Sequence, residues 1–286
     1  MTTRQVPSGR SLGSRVRPRA NRPRGRSLGG RLLLGLIVAA VSIIGYLSSE
    51  QYNPVTEEDQ EIAIGLQAAP EMTAQFGGLD RSTEAQQLVD EVGQHLVENS
   101  VAASAGYPFE FHVLADTQTV NAFALPGGQV FITNALLREL ETEGQLAGVL
   151  AHEIGHVLAR HSAERIAEQE LTQGLTGAVV IATYDPENPS SQQTAALAAV
   201  IGSLINMKFS REDELQSDDL GVRIMAEAGY DPRSLITVME ILERASGGQG
   251  PPEFASTHPS PENRVEAIQA AIDRRFPQGV PDGLIP

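Results

Sequence analysis

His152-Glu153-Ile154-Gly155-His156 lies inside a run of helix formers and apolar residues, Thr142-Glu143-Gly144-Gln145-Leu146-Ala147-Gly148-Val149-Leu150-Ala151 before it and Val157-Leu158-Ala159-Arg160 after it. The run predicts a helix. On a helix, residues four apart share a face, so both imidazoles can reach one metal ion. Glu153 sits about 100° round from His152, placed to take a proton from water without ligating the metal itself. Two histidines and a carboxylate so arranged are the chemistry of a zinc peptidase.

Three protein ligands plus a water position are usual for a catalytic zinc, so one ligand is still to be found. The metzincin pattern puts a third histidine six residues past His156, and that residue is Ser162. His161, five residues on, falls about 140° round a continuous helix and is expected beside the site or on the surface rather than on the metal. The best carboxylate supply is Ser210-Arg211-Glu212-Asp213-Glu214-Leu215-Gln216-Ser217-Asp218-Asp219, which reads as a helix start followed by an apolar run to Ala228 and a stop at Gly229-Tyr230-Asp231-Pro232. Glu214 and Asp218 share a face, so one can bind metal while the other hydrogen-bonds a ligand imidazole. Spacing alone leaves Glu212 open as well.

The chain has 286 residues, 41% of them hydrophobic, enough for a substantial core. It has no cysteine, which removes disulfides and thiolate metal sites and leaves His and carboxylates as ligands. Its net charge of −15 hides an asymmetry: residues 1–31 carry nine arginines and no acid, whereas residues 32–286 carry 12 basic and 36 acidic groups. An acidic body argues against a nucleic-acid partner. Between the two regimes Leu32–Leu47 has no charge. With Ser48 and Ser49 it would span about 27 Å as a helix, close to the roughly 30 Å of a hydrocarbon core. The expected organisation is a basic, disordered cytoplasmic tail (1–31), a transmembrane anchor (32–49) and a metallopeptidase domain (50–286) lying across the inner membrane, in the periplasm or its equivalent. A cleaved signal peptide is the rival reading, but no convincing small-x-small site follows Tyr46. The acid-free, Arg-rich start also resembles a mitochondrial transit peptide.

Helical spacing over Glu57–Leu66 and Glu84–Leu96 predicts two helices. From Phe109 the period drops to two, with Phe109, Phe111 and Val113 on one side and Glu110, His112 and Leu114 on the other. Two further strands, at 120–125 and 129–133, complete an expected small β-meander beside the metal-binding helix. Pro126 marks the 120–125 strand as an edge. An edge beside a metal site can hold an extended peptide through main-chain hydrogen bonds, which makes Asn121, Ala122, Phe123 and Ala124 candidate substrate-binding residues. Leu171–Ala182 and Ala195–Met207 are apolar but too short to span a bilayer singly, and read as a helical hairpin. His95 and His112 lack partners at metal spacing and read as structural.

These motifs, taken with Asn121-Ala122-Phe123-Ala124-Leu125-Pro126-Gly127-Gly128 upstream and Thr257-His258-Pro259 downstream, resemble the Ste24/HtpX/BepA-related membrane-associated zinc metallopeptidases over about residues 55–275. The resemblance implies an α+β, mainly helical zincin-type domain binding one zinc ion through His152, His156 and Glu214, with Glu153 as base and Asp218 hydrogen-bonded behind the ligands. It implies that His258 gates the metal or stabilises an oxyanion, and that the substrates are unfolded or misassembled envelope polypeptides. The chain departs from the family in having Ser217 where a smaller Ala is usual, a single candidate span, and no helical-repeat tail, so it is most similar to the small single-domain periplasmic members. A membrane-tethered chaperone or adaptor with a latent site is the alternative. Arg264 is equally well read as a loop brace or as a helix-surface residue, and oligomeric state is left open.

Overall fold

The computed structural model describes residues 57–173, 202, 204, 207–245, 253–258 and 263–286. The basic tail, the expected anchor at 32–49 and nearly all of the expected hairpin at 171–207 lie outside them. Among the described residues no helix is long and apolar enough to cross a membrane.

The described chain runs α1 (Glu57–Gln75), α2 (Thr83–Glu98), a 3-10 turn (Val101–Ser104), β1 (Glu110–Leu114), β2 (Ala122–Ala124), β3 (Gln129–Thr133), α3 (Asn134–Glu139), α4 (Glu143–Leu158), α5 (His161–Gln173), α6 (Arg211–Glu227), α7 (Ser234–Ala245), α8 (Glu253–Thr257) and α9 (Arg264–Arg275). The mainly helical, α+β reading therefore holds. The β-meander does not. Strand order is β1-β3-β2, with β1 parallel to β3 and β2 antiparallel to it, so consecutive strands β1 and β2 never pair. A parallel pair needs a crossover rather than a tight hairpin. Here the Asp116 carboxylate accepts hydrogen bonds from the Gln118 and Thr119 amides and turns the chain out of β1. Alternating side chains reveal the two faces of a strand but not its neighbour, which is why the pairing had to be seen. Among the described residues β2 pairs with β3 alone, as the predicted edge requires.

Each face of the sheet covers its own core. Phe111, Val113, Ala122, Ala124, Val130 and Ile132 join the larger core, which α2, α4, α6, α7 and α9 complete. Leu114, Phe123 and Phe131, from the opposite face, join a smaller one with Ile64, Ala68 and Met72 of α1. The turn from β2 to β3 lies against the α1 backbone: Gly127 has φ 79°, and a Cβ there would fall 2.3 Å from Ile62 Cα. Only glycine fits both constraints.

Helix α4 is central. Its start is a capping box in which Thr142 accepts from the Gln145 amide and the Gln145 side chain accepts from the Thr142 amide. From Gly144 to Val157 every residue is buried, as expected of a helix apolar on all sides. It stops at Leu158, short of the Ala159-Arg160 continuation that the sequence suggests. Arg160 adopts φ 61°, a conformation costly for a non-glycine residue. Its guanidinium is held by Glu57 and Glu61 of α1, and α5 then begins in a new direction.

Candidate active site

Two helices build the site. Helix α4 supplies His152, Glu153 and His156, and α6 crosses it closely enough for Glu214 and Asp218 to reach them. Small residues make the approach possible. The Ser217 hydroxyl donates to the His152 carbonyl, and a Cβ on Gly155 would lie 2.8 Å from Ser217 Oγ and 2.9 Å from Ser217 O. Gly155→Ala is therefore expected to push the helices apart and destabilise the protein by about 1–3 kcal/mol, read by chemical denaturation. At the start of α6, Ser210 and Asp213 form a second capping box, and Asp213 also pairs with Arg165. Glu212 is exposed. Of the acids in the first turn, Glu214 is the one turned into the site.

His152 Nε2 and His156 Nε2 are 3.1 Å apart, and Glu214 places Oε2 3.5 Å from the first and Oε1 3.4 Å from the second. Three donors on one tetrahedral zinc, with bonds of about 2.0–2.1 Å, stand about 3.3–3.4 Å from one another. His258, buried like the others, completes a group of four whose candidate donor atoms all lie within 4.8 Å of one another. Glu153 Oε1 and Oε2 and His258 Nε2 are buried without hydrogen-bond partners. Buried polar atoms rarely stay unsatisfied. A His/His/Glu set with such atoms converging on it fits a divalent metal of zinc's preferences.

The tautomers agree with that fit. Asp218 Oδ1 accepts from His152 Nδ1 at 2.9 Å, which leaves Nε2 bare for a metal. Behind His156 the same task falls to His161, whose Nδ1 lies 2.9 Å from His156 Nδ1 and whose Nε2 donates to Gln216 Oε1 at 3.2 Å. His156 must then donate from Nδ1 and present Nε2. His161 reaches this position only because the chain breaks at Arg160. It stands beside the site as expected, but as a buried partner of His156, a role that continuous-helix geometry did not reveal.

Burial alone would lower the His152 imidazole, but hydrogen bonds with Asp218 and Glu214 outweigh it and lift His152 to about 9. Burial holds His156 well below the usual histidine range. Burial would raise Glu214, yet the His258 charge and hydrogen bonds to the three histidines hold it well below the carboxylate range. Burial raises Glu153, against the opposing charges of His258 and His152. Asp218, which burial would raise, is lowered chiefly by Arg264. Arg264 is buried and forks onto Asp218, Nε to Oδ2 at 2.8 Å and Nη2 to Oδ1 at 2.9 Å, while its Nη1 lies 3.2 Å from Glu214 Oε2. The sequence left this arginine ambiguous.

His258 is buried against the cluster. It donates from Nδ1 to Glu214 Oε1 at 3.0 Å, and its Nε2 lies 3.8 Å from Glu153 Oε1. Its ring stacks on Phe254, whose amide donates to Val120 O at the start of the edge, and Thr257 O accepts from the Phe209 amide. Asn121–Ala124 lie along that edge. Thr133 donates to Asn121 O and Leu125 donates to Gln129 O, so by the antiparallel alternation the main-chain groups of Ala122 and Ala124 point away from β3; both residues are buried there, and Ala124 O accepts from the Ser162 hydroxyl at 3.5 Å. His95 and His112 stand apart from the site, bonded to Ala228 O and the Gln129 side chain.

A buried His/His/Glu cluster with an adjacent carboxylate lacking a hydrogen-bond partner, set between two crossing helices beside an edge strand, is an arrangement of the metallopeptidase class. The chain belongs to peptidase family M48, whose model matches residues 83–272. It is 34% identical over 200 residues to the beta-barrel assembly-enhancing protease of Escherichia coli (strain K12), covering 68% of this chain and 40% of that protein. To the protein of the same name from Yersinia pestis it is 31% identical, over 87% of this chain and 53% of that one. The mitochondrial metalloendopeptidase OMA1 of Schizosaccharomyces pombe is 30% identical, over 90% of this chain and 76% of that protein. The chain thus spans about half or less of the beta-barrel assembly-enhancing proteases.

Proposed function

We propose that the chain is a zinc-dependent endopeptidase of the gluzincin type, in which His152, His156 and Glu214 hold the ion and Glu153 is the general base. The observation that carries this is the convergence of three donors within 3.1–3.5 Å beside a buried carboxylate with no other partner. Zinc, when bound there, supplies Lewis acidity that acidifies a water and polarises a peptide carbonyl. Glu153 accepts the water's proton on its carboxylate, which burial makes more basic, and returns it to the leaving amine nitrogen. Asp218 and His161 keep His152 and His156 in the tautomers that present Nε2, and Arg264 holds Asp218. Ala122 and Ala124 bind an extended substrate backbone on the side of β2 away from β3 once the segment over that edge has moved.

The substrate class is unfolded or misassembled envelope protein, a reading supported by relatives named for enhancing beta-barrel assembly and by the need of an edge strand for an extended chain. The proposed setting is a single-pass anchor at 32–49 with the catalytic domain outside the cytoplasm. The test is to purify the full-length chain, measure bound zinc and follow cleavage of unfolded casein. Activity is expected to disappear on chelation and to return with zinc. Casein left intact by zinc-loaded protein would count against the peptidase reading.

One observation favours the latent, adaptor-like alternative in the resting state. His258 Nδ1 lies 3.0 Å from Glu214 Oε1, and the ring belongs to the four-residue group able to hold one ion, which suits His258 to a fourth metal position. Four protein ligands leave no water position. Displacing the Phe254–His258 segment would open both the metal and the strand edge. If a Glu153→Gln strain showed the wild-type phenotype, binding rather than cleavage would be the working function.

A further inference from the structure

Beside the metal cluster lies a cavity of about 110 Å³. Its walls are Met72 and Phe76 from α1 and its end, Phe123 from the edge strand, and Leu204, Met207 and Phe209 from the stretch before α6. Among the described residues that line it, none is Lys, Arg, Asp or Glu. Asn121 Oδ1 and His258 Nε2, both buried and without hydrogen-bond partners, belong to residues that line the same cavity. Concave apolar walls with a few convergent polar groups are the mark of a ligand site.

We infer that this cavity is a specificity subsite that takes one uncharged aliphatic side chain of Leu or Met size from the substrate residue flanking the scissile bond. The inference rests on the peptidase reading and adds a substrate preference to it. Size sets the best fit: an apolar cavity of about 150 Å³ admits benzene, so about 110 Å³ matches four-carbon or thioether side chains better than an indole. Chemistry sets the limit, because a carboxylate or ammonium would be stripped of water against Phe76, Phe123 and Phe209 with no counter-charge in the lining. His258 lines the cavity and also stands among the candidate metal ligands. A side chain seated there therefore belongs to a residue next to the bond being cut.

The experiment uses the full-length, zinc-loaded chain in lipid nanodiscs, so that no detergent competes for the cavity. Peptides of Gly, Ser and Thr carrying one guest residue (Leu, Met, Phe, Trp, Ala or Asp) are titrated calorimetrically into the Glu153→Gln protein. Wild-type cleavage of the same peptides is mapped by mass spectrometry. Leu and Met are expected to bind at least about tenfold more tightly than Ala and on the order of 100-fold more tightly than Asp. Phe76→Ala, at a partly exposed position, is expected to shift the preference towards Phe and Trp, and Met72→Phe to shift it towards Ala. A flat series, or a ranking unmoved by both substitutions, overturns the subsite. Flat binding with wild-type cleavage removes the subsite and keeps the peptidase. Ranked binding without cleavage keeps the subsite and removes the peptidase.

Discussion

Glu153→Gln is expected to lower kcat on an unfolded substrate by about 10³-fold, within the range of about 10²–10⁴ that a positioned general base contributes. Bound zinc and Tm should stay at wild-type values or rise. The asymmetry follows from the surroundings of Glu153. It is fully buried and neither carboxylate oxygen has a hydrogen-bond partner, the nearest ion-pair atom being His258 Nε2 at 3.8 Å. An unpaired buried carboxylate is costly, so a neutral amide of the same shape removes a penalty from the fold while removing the base from the reaction. Because substrate contacts are untouched, kcat and kcat/KM should fall together. More than a tenth of wild-type activity in the variant would mean that another group moves the proton. Loss of zinc along with activity would mean that Glu153 holds the ion.

The parts of this site that could be read from sequence are those generated by one helical period. His152, Glu153 and His156 are fixed relative to one another by a single helix, and Glu214 and Asp218 by another, so spacing placed both groups on their faces. Choosing Glu214 over Glu212 required the family resemblance. The structure adds the reason, since α6 turns Glu214 inward while Glu212 faces solvent and Asp213 closes the capping box. What could not be read depends on contacts between distant segments. The parallel pairing of β1 with β3 left no mark in either strand. The break at Arg160 carries neither Gly nor Pro, and is held by Glu57 and Glu61 about a hundred residues earlier. Without that break His161 could not meet His156. The cavity is likewise assembled from α1, the edge strand, the stretch before α6 and the His258 segment, none of which announces a pocket by itself.

Arg264 carries the second large expectation. Its guanidinium lies among Asp218, Glu214 and Glu153, forked onto the first and 3.2 Å from the second, with every partner buried. Burial works against its charge, but the attraction of Asp218 and Glu214 keeps it cationic. Arg264→Leu should therefore strand two carboxylates in the interior and cost about 3–5 kcal/mol. It should also free Asp218 to turn from His152, weakening zinc affinity by about 10–100-fold. Arg264→Lys keeps the charge without the planar fork and should fall between the two. Denaturation at fixed free zinc measures the first effect, and a competitive chelator titration the second; zinc must be held constant because a ligand that binds only the folded state adds to its apparent stability. If the cost comes from unpaired charge rather than lost packing, adding Asp218→Asn to Arg264→Leu should recover part of the stability. It should recover none of the zinc affinity, because the amide holds His152 less firmly than the carboxylate did. A double variant no more stable than Arg264→Leu would assign the arginine to packing alone.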